Sequence, residues 1–427
     1  MSRAHLSPPV GPINVTMGVP GSKSVANRAL VCAMLAEGTS HIRGLPDGDD
    51  TEVVLKVLRE LSVLTVVGEV YQVSGNPHLA LPGIVDAQLA GTSSRFLTAV
   101  AALSQTFTVI DGAEPLRSRP MGDLHEALVQ LGANVEPLGE PGHLPVSVSG
   151  GVLRGGTISM KADVSSQFIS ALMLIAPYLS DGLTIQLDGP QVSGSYIAMT
   201  ARVMADFGVP VMIAGDTIEV PEMRYQACDY VVEPDFSSAA FPIVAVLLRG
   251  GQLRVRDLAL AMHQGDSAIL EIARKLGASW SQDGNDIVVK CPSSAHTPLF
   301  SLDMADCSDL VPVVAVAMTQ CVDQGAIHGV GFIRNKESDR LGDVAVELAK
   351  VGAVVEVLQD GLALRGCPEL TSAVMLTHHD HRLAMSFALL SLVAPSIVID
   401  SPEVVSKSWP GFFSDMVNIL GPVKIEK

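Results

Sequence analysis

The sequence predicts an α/β fold of six similar units, divided into two domains of three. Three observations carry this. Six apolar helical runs recur along the chain, each headed by a short polar cluster. Each run is followed by a strand-like segment. Amphipathic helices ending in an apolar residue and glycine recur in phase, roughly 70 to 76 residues apart. Self-similarity at a fixed period marks a repeated supersecondary unit, and this period is too long for the common solenoids. A unit of helix, strand, helix and hairpin builds a layered core only with its neighbours.

The first apolar run, Ala29 to Ala36, lies inside VPGSKSVANRALVCAMLAEG (19–38). Ser and Asn before an apolar run start a helix, and Gly38 just past it is a stop. Lys23 and Arg28 add full charges to a helix N-terminus, whose free N–H groups already favour an anion. The second run is Arg95 to Ser104, headed by Gly91-Thr92-Ser93-Ser94. The third is Phe168 to Leu179, headed by Ser165-Ser166-Gln167. The fourth is Ala239 to Leu248, headed by Asp235-Phe236-Ser237-Ser238. The fifth is Leu310 to Val322, headed by Asp306-Cys307-Ser308-Asp309. The sixth is Leu383 to Ala394, headed by His379-Asp380-His381-Arg382. Strand-like TSHIRGL, FTVIDG, LTIQLDG, QLRVRDL, AIHGVGF and SIVIDSP follow in turn. The phase marks are Leu131-Gly132, Phe207-Gly208, Leu276-Gly277, Val351-Gly352 and Leu420-Gly421, with Leu61-Ser62 as a weaker first copy. Hairpins such as Ala353–Gln359 and Gly361–Leu364 come after most of them.

A chain of 427 residues exceeds one small core. Six units divide most simply at the fourth apolar run, near Asp235. Hydrophobic content is 48% and aromatic content only 4%, so the core is Ala, Val, Leu and Met. Mean hydropathy is +0.37, yet no apolar run reaches the roughly 18 residues of a membrane span. The first ten residues lack a hydrophobic signal segment. The six cysteines show no CxxC spacing, so reduced cytosolic thiols and a cytoplasmic chain are expected. Net charge is −17, which argues against nucleic acid. It leaves room for small anions, because clustered cations set the local field.

Cations cluster outside the first run too. PLRSRPMGDL (115–124) holds Arg117 and Arg119 in a Pro-bracketed loop. RNKESDRL (334–341) gathers Arg334, Lys336, Glu337, Asp339 and Arg340 at the head of an amphipathic helix. The dipole explains the acids there and not the cations. VSKSWP (405–410) sets a second lysine between serines. A metal at His378–Arg382 is disfavoured, since the residues are adjacent and an arginine opposes a cation. A nucleotide phosphate loop fails as well: Ser22 precedes Lys23 where glycine is needed, and Met17 stands at the first glycine position.

In order along nearly the whole chain, PGSKSVANR, AGTSSR, SRPMGDL, SSQF, the Asp309 region, NKESDR, HDHRLAM and SKSWP resemble the enolpyruvyl transferase family, and within it the member acting on shikimate 3-phosphate. The resemblance implies two domains, each of three βαβαββ units around a pseudo-threefold axis, with the active site between them. The first strand, before Pro20, would cross back to the C-terminal domain. The implied domains are 20–236, and 1–19 with 237–427. The implied reaction moves the enolpyruvyl group of phosphoenolpyruvate to the 5-hydroxyl of shikimate 3-phosphate and releases phosphate, with neither metal nor organic cofactor. Substrates with a phosphate and a carboxylate each require several fixed cations. The hydroxyl loses a proton and the enol methylene gains one, so an acid and a base are needed.

By motif position, the resemblance assigns Lys23, Ser24, Arg28, Ser165, Ser166, Gln167, Ser193, Tyr196, Asp309 and Lys336 to shikimate 3-phosphate. It assigns Lys23, Gly91, Arg119, Gln167, Arg340, Arg382 and Lys407 to phosphoenolpyruvate. Asp309 is implied as the base, and Glu337 with Lys23 as the proton relay at the methylene carbon; sequence does not divide them between the half-reactions. Three positions depart from the family pattern: Leu89 and Phe332 stand where Asn is frequent, and Asp306-Cys307-Ser308 replaces the usual approach to Asp309. The sister enzyme acting on a UDP-amino sugar carries a cysteine in the loop that here reads EPLRSRP, and no cysteine lies between Cys32 and Cys228. A non-catalytic anion-binding chain would be expected to have lost Asp309 or Glu337. A monomer is the family habit, and because the assigned cations come from both halves of the chain, closure of the halves over the substrates is expected.

Overall fold

Among the described residues, six four-stranded sheets share one strand order. In each, a central strand pairs in parallel with an incoming strand on one side. On its other side it pairs antiparallel with a hairpin strand, whose partner forms the edge. The computed structural model describes residues 2–9, 11–162, 165–189, 192–260, 264–293 and 296–426. These form two compact units, Gly21–Glu233 and Met1–Pro20 with Pro234–Lys427. Each unit holds three of the sheets.

The second repeat shows the unit complete. Strand Ile84–Asp86 leads to helix Gly91–Ala101, strand Thr108–Asp111, helix Gly122–Gln130, and hairpin Asn134–Pro137 with Val146–Ser149. This is the βαβαββ order. The parallel step Ile84–Asp86 to Thr108–Asp111 is crossed over by the apolar helix. All six strand-like segments expected after the apolar runs are the central strands, among them Gly38–Arg43, Leu183–Asp188 and Ile397–Asp400.

Three repeats are completed by distant chain. Ile13–Met17 pairs in parallel with Gly251–Val255, so the early strand does join the unit that begins again at Pro234. Arg3–Leu6 pairs antiparallel with both Ile397–Asp400 and Lys424–Glu426, filling the hairpin place of the sixth sheet. In the other unit, Asp229–Val231 returns to pair with Gly38–Arg43. Each unit therefore closes its third repeat on its first.

Five of the six described apolar helices start earlier than their apolar runs. The first spans Lys23–Leu35 and is buried continuously from Val25 to Leu35, as a helix apolar on all sides must be. Arg28 is consequently inside the second turn and buried, rather than exposed at the helix end. Helices Ser166–Ile175 and Phe236–Arg249 begin at true caps: Ser165 accepts from the Gln167 N–H, and Asp235 from the Ser238 N–H. Asp306 to Asp309 form a 3-10 turn, Ala305–Leu310, ahead of helix Val311–Cys321.

The recurrent glycine mark has a local cause. Gly132, Gly208, Gly277 and Gly352 have φ of 96°, 85°, 101° and 95°. Each follows an amphipathic helix, and the next N–H reaches back six residues inclusive, as from Ala133 to the Leu128 carbonyl and from Ala278 to the Ala273 carbonyl. That is the Schellman stop, which needs a left-handed residue. Ser62 closes the first copy the same way at φ 58°, with Val63 N–H bonding the Leu58 carbonyl at 3.1 Å. No helix among the described residues is long and apolar enough to cross a membrane.

Candidate active site

In the unit with the C-terminal half, one guanidinium gathers three carboxylates. Arg340 donates from Nε to Asp380 Oδ2 at 2.7 Å, from Nη1 to Asp309 Oδ1 at 2.8 Å, and from Nη2 to Glu337 Oε2 at 2.9 Å. It is 1% exposed. Burial works against its charge, but Asp380, Glu337 and Asp309 more than offset that and raise its pKa. Two further cations share these acids. Arg382 Nη2 lies 2.7 Å from Asp309 Oδ2, and Lys407 Nζ lies 3.0 Å from Glu337 Oε1. Burial pushes the Asp309 carboxyl up, yet Arg382, Lys336 and Arg340 together hold it well below the usual carboxylate range.

Short irregular elements supply this cluster. Lys336 to Leu341 precede helix Gly342–Lys350, and Asp339 caps it by accepting from the Leu341 and Gly342 N–H groups. Lys407 ends the 3-10 turn Pro402–Lys407. Asp380 caps helix His381–Ala388, its Oδ1 accepting the Arg382 N–H at 2.8 Å. His378 and His379, just before it, are left-handed at φ 49° and 58°. His378 is braced from behind by Glu347 at 2.9 Å and Asp343 at 3.4 Å. The Phe332 ring lies under Lys336, 5.8 Å from Nζ, a cation–π contact.

The other unit carries the remaining assigned residues. Lys23 Nζ pairs with Asp50 Oδ2 at 2.9 Å. Ser93 Oγ links the same region, donating to the Asp50 carbonyl and accepting from Asn27 Nδ2. Arg28 donates to Thr200 Oγ1, the Ser24 carbonyl, Ser170 Oγ and the Tyr196 carbonyl, between the rings of Phe96 and Tyr196. Burial pushes its pKa down to about 10. Those contacts make Arg28 a tie between the helices of this unit. A guanidinium has only five N–H donors, so little of it remains for a ligand.

Gln167 donates from Nε2 to Thr92 Oγ1 at 3.2 Å, and its Oε1 is buried without a hydrogen-bond partner among the described residues. Ser166 and Ser193 are buried, and Ser193 is left-handed at φ 56° before helix Gly194–Asp206. The two arginines of the Pro-bracketed loop separate. Arg117 makes an exposed pair with Asp111, while Arg119 packs on Gly91. A Cβ at Gly91 would stand 2.6 Å from Arg119 Nη1 and 2.7 Å from Arg95 Nη1. A side chain there would have to push these guanidinium ends aside.

Sequence reasoning missed Asp50, Asp380 and Asp266 as partners of the cations. Asp380 had one readable signal, an Asp at the cap position before an apolar run. Asp50 and Asp266 carried none.

Cations held by carboxylates, on six repeats of one sheet order, make a site suited to anionic ligands. EPSP synthase from Acinetobacter baumannii has the same fold, with a TM-score of 0.83 and 23% identity over 100% of both chains. The family model for EPSP synthase (3-phosphoshikimate 1-carboxyvinyltransferase) matches residues 8–416. The 3-phosphoshikimate 1-carboxyvinyltransferase of Trichormus variabilis is 35% identical over 426 residues, covering 96% of this chain and 97% of that one. That of Methanothermobacter thermautotrophicus is 37% identical over 411 residues, covering 96% of each. The chain belongs to the EPSP synthase family.

Proposed function

We infer that this chain transfers the enolpyruvyl group of phosphoenolpyruvate to the 5-hydroxyl of shikimate 3-phosphate, with Asp309 as the base and Glu337 with Lys23 as the proton relay. One observation carries the assignment: Asp309 and Glu337 sit on the two terminal nitrogens of a single buried guanidinium, Arg340. That holds two carboxylates side by side in fixed orientation, as a base and a relay acting on adjoining atoms require.

A carboxylate held so acidic is a weak base. The arrangement supplies its own remedy. When phosphate and carboxylate groups of phosphoenolpyruvate bind Arg382 and Arg340, they draw that positive charge from Asp309 and raise its basicity. Asp309 then takes the hydroxyl proton as oxygen attacks C2, and the relay adds a proton to the methylene carbon. The tetrahedral adduct loses phosphate, and a methyl proton is removed to restore the double bond. Arg119, Gln167, Lys407 and the Gly91 backbone complete the phosphoenolpyruvate set. Ser24, Ser165, Ser166, Gln167, Ser193, Tyr196 and Lys336 complete the shikimate 3-phosphate set, and Arg28 supports it from behind through Ser24 and Tyr196. We take the enzyme to be a cytoplasmic monomer.

Asp309→Asn and Glu337→Gln test it by phosphate release. Each should lower turnover by about 10²–10⁴ while shikimate 3-phosphate binding stays within a few fold. Near-normal turnover in either variant removes that residue from its role. Phosphate release with a UDP-amino sugar in place of shikimate 3-phosphate would point to the sister reaction instead.

A further inference from the structure

Behind the Asp309–Arg382 pair stands a carboxyl that the mechanism does not use. Asp266, in the short turn Gly265–Ser267, is 4% exposed. Its Oδ2 accepts from Ser237 Oγ. Its Oδ1 is buried with no hydrogen-bond partner among the described residues. Ser237 Oγ in turn lies 3.5 Å from Arg382 Nη2, the nitrogen that holds Asp309 at 2.7 Å. Asp266, Ser237, Arg382 and Asp309 thus form one line, with a half-satisfied acid at its far end.

We propose that Asp266 is a positioning residue whose proton decides how much of the Arg382 charge reaches the phosphoenolpyruvate anion. This rests on the reading that Arg382 binds that substrate. With Asp266 neutral, the carboxylate drawing on Arg382 along this line is Asp309. With Asp266 ionised, a second carboxylate faces the same guanidinium through Ser237, and an incoming anion meets added negative charge.

The groups around Asp266 set where this change falls. Burial disfavours its ionised form. Asp309, on the turn before helix Val311–Cys321, and Asp235, at the cap of Phe236–Arg249, act in the same direction. Arg382 and the Ser237 hydroxyl oppose them, and the net pKa is about 7. Cys307, close by, has its thiol pushed up to about 12, so it stays neutral. A carboxyl whose pKa is raised is protonated below that value and ionised above it. The KM for phosphoenolpyruvate should therefore rise as pH increases through about 7.

The test is the KM for phosphoenolpyruvate across pH 5.5 to 8.5 in wild type, Asp266→Asn and Ser237→Ala. Relative to Asp266→Asn, which stays neutral throughout and shares the substrate's own titration, wild type should gain up to about tenfold in KM. The kcat should move less than KM. Ser237→Ala, which removes the link while Asp266 still titrates, should show a smaller rise. Carboxyl ¹³C spectra of the aspartates give a second reading without activity: a resonance titrating near 7 should vanish in Asp266→Asn. Parallel KM profiles for wild type and Asp266→Asn, or a vanished resonance that titrates below about 5, overturn the proposal. Arg382→Lys separates the two levels. A normal KM there defeats the assignment of Arg382 to the substrate. A raised KM alongside parallel profiles defeats only the role of Asp266.

Discussion

Arg340 Nε lies 2.7 Å from Asp380 Oδ2, and the two side chains are 1% and 0% exposed. The same carboxylate caps the helix of Arg382 and accepts from Ser338 Oγ at 3.2 Å. One buried acid thus fixes two of the arginines assigned to phosphoenolpyruvate. Removing one partner of such a pair leaves an uncompensated buried charge. Asp380→Ala should cost about 3–5 kcal/mol in urea unfolding. Asp380→Asn should cost less, because its amide oxygen still caps the helix. A loss under about 1 kcal/mol in the alanine variant would show that Asp309 and Glu337 alone satisfy Arg340.

Gly91 leaves the space that two guanidinium groups occupy. The atoms that a Cβ would meet belong to Arg119 and Arg95. Gly91→Ala should displace Arg119 and weaken phosphoenolpyruvate by about tenfold or more, the equivalent of one charge-assisted contact. Shikimate 3-phosphate binding and the melting temperature should change little. An unchanged KM for phosphoenolpyruvate would show that Arg119 does not serve that substrate.

The thiols divide by burial. Cys228 and Cys367 are partly exposed, and the other four are buried. Burial also lifts Cys307, Cys291 and Cys321 to about 12, 11 and 12, so they are protonated at neutral pH. A disulfide reagent should label Cys228 and Cys367 first and spare activity. Cys307→Ser, two residues before Asp309, should keep turnover within a few fold. Complete inactivation with normal substrate binding would place chemistry at Cys307.

Ser62 occupies the left-handed helix stop that glycine fills in four later copies. It is exposed, so packing does not demand a side chain. Ser62→Gly should stabilise the chain by roughly 0.5–1 kcal/mol, since an L side chain strains that conformation. Gly277→Ala should destabilise it by a similar or larger amount. Equal urea midpoints for wild type and Ser62→Gly would mean that unfolded-state entropy cancels the gain.

The repeat was legible because its signals are local. A glycine after Leu131, Leu276 or Val351 reports a left-handed backbone position. An apolar run reports a helix buried on all sides. The strands after each run follow from the same short-range patterning. Lys23 and Arg28 read as charges on the first helical stretch, and the pattern does not say which of them is buried. Only the packing of Arg28 against Phe96, Thr200 and Tyr196 shows that the helix interior begins there.

By itself, then, the sequence determined six units, their order and the positions of the cations. Tertiary structure decided which acid answers each cation. Arg340 meets Asp380 across 40 residues, Arg382 meets Asp309 across 73, and Ser237 joins Arg382 across 145. It also decided that Arg3–Leu6 completes a sheet with the last strand of the chain. Periodicity reports what a residue does within its own helix or strand. Ion pairing and sheet closure depend on how separate repeats pack, and spacing along the chain carries no record of that distance.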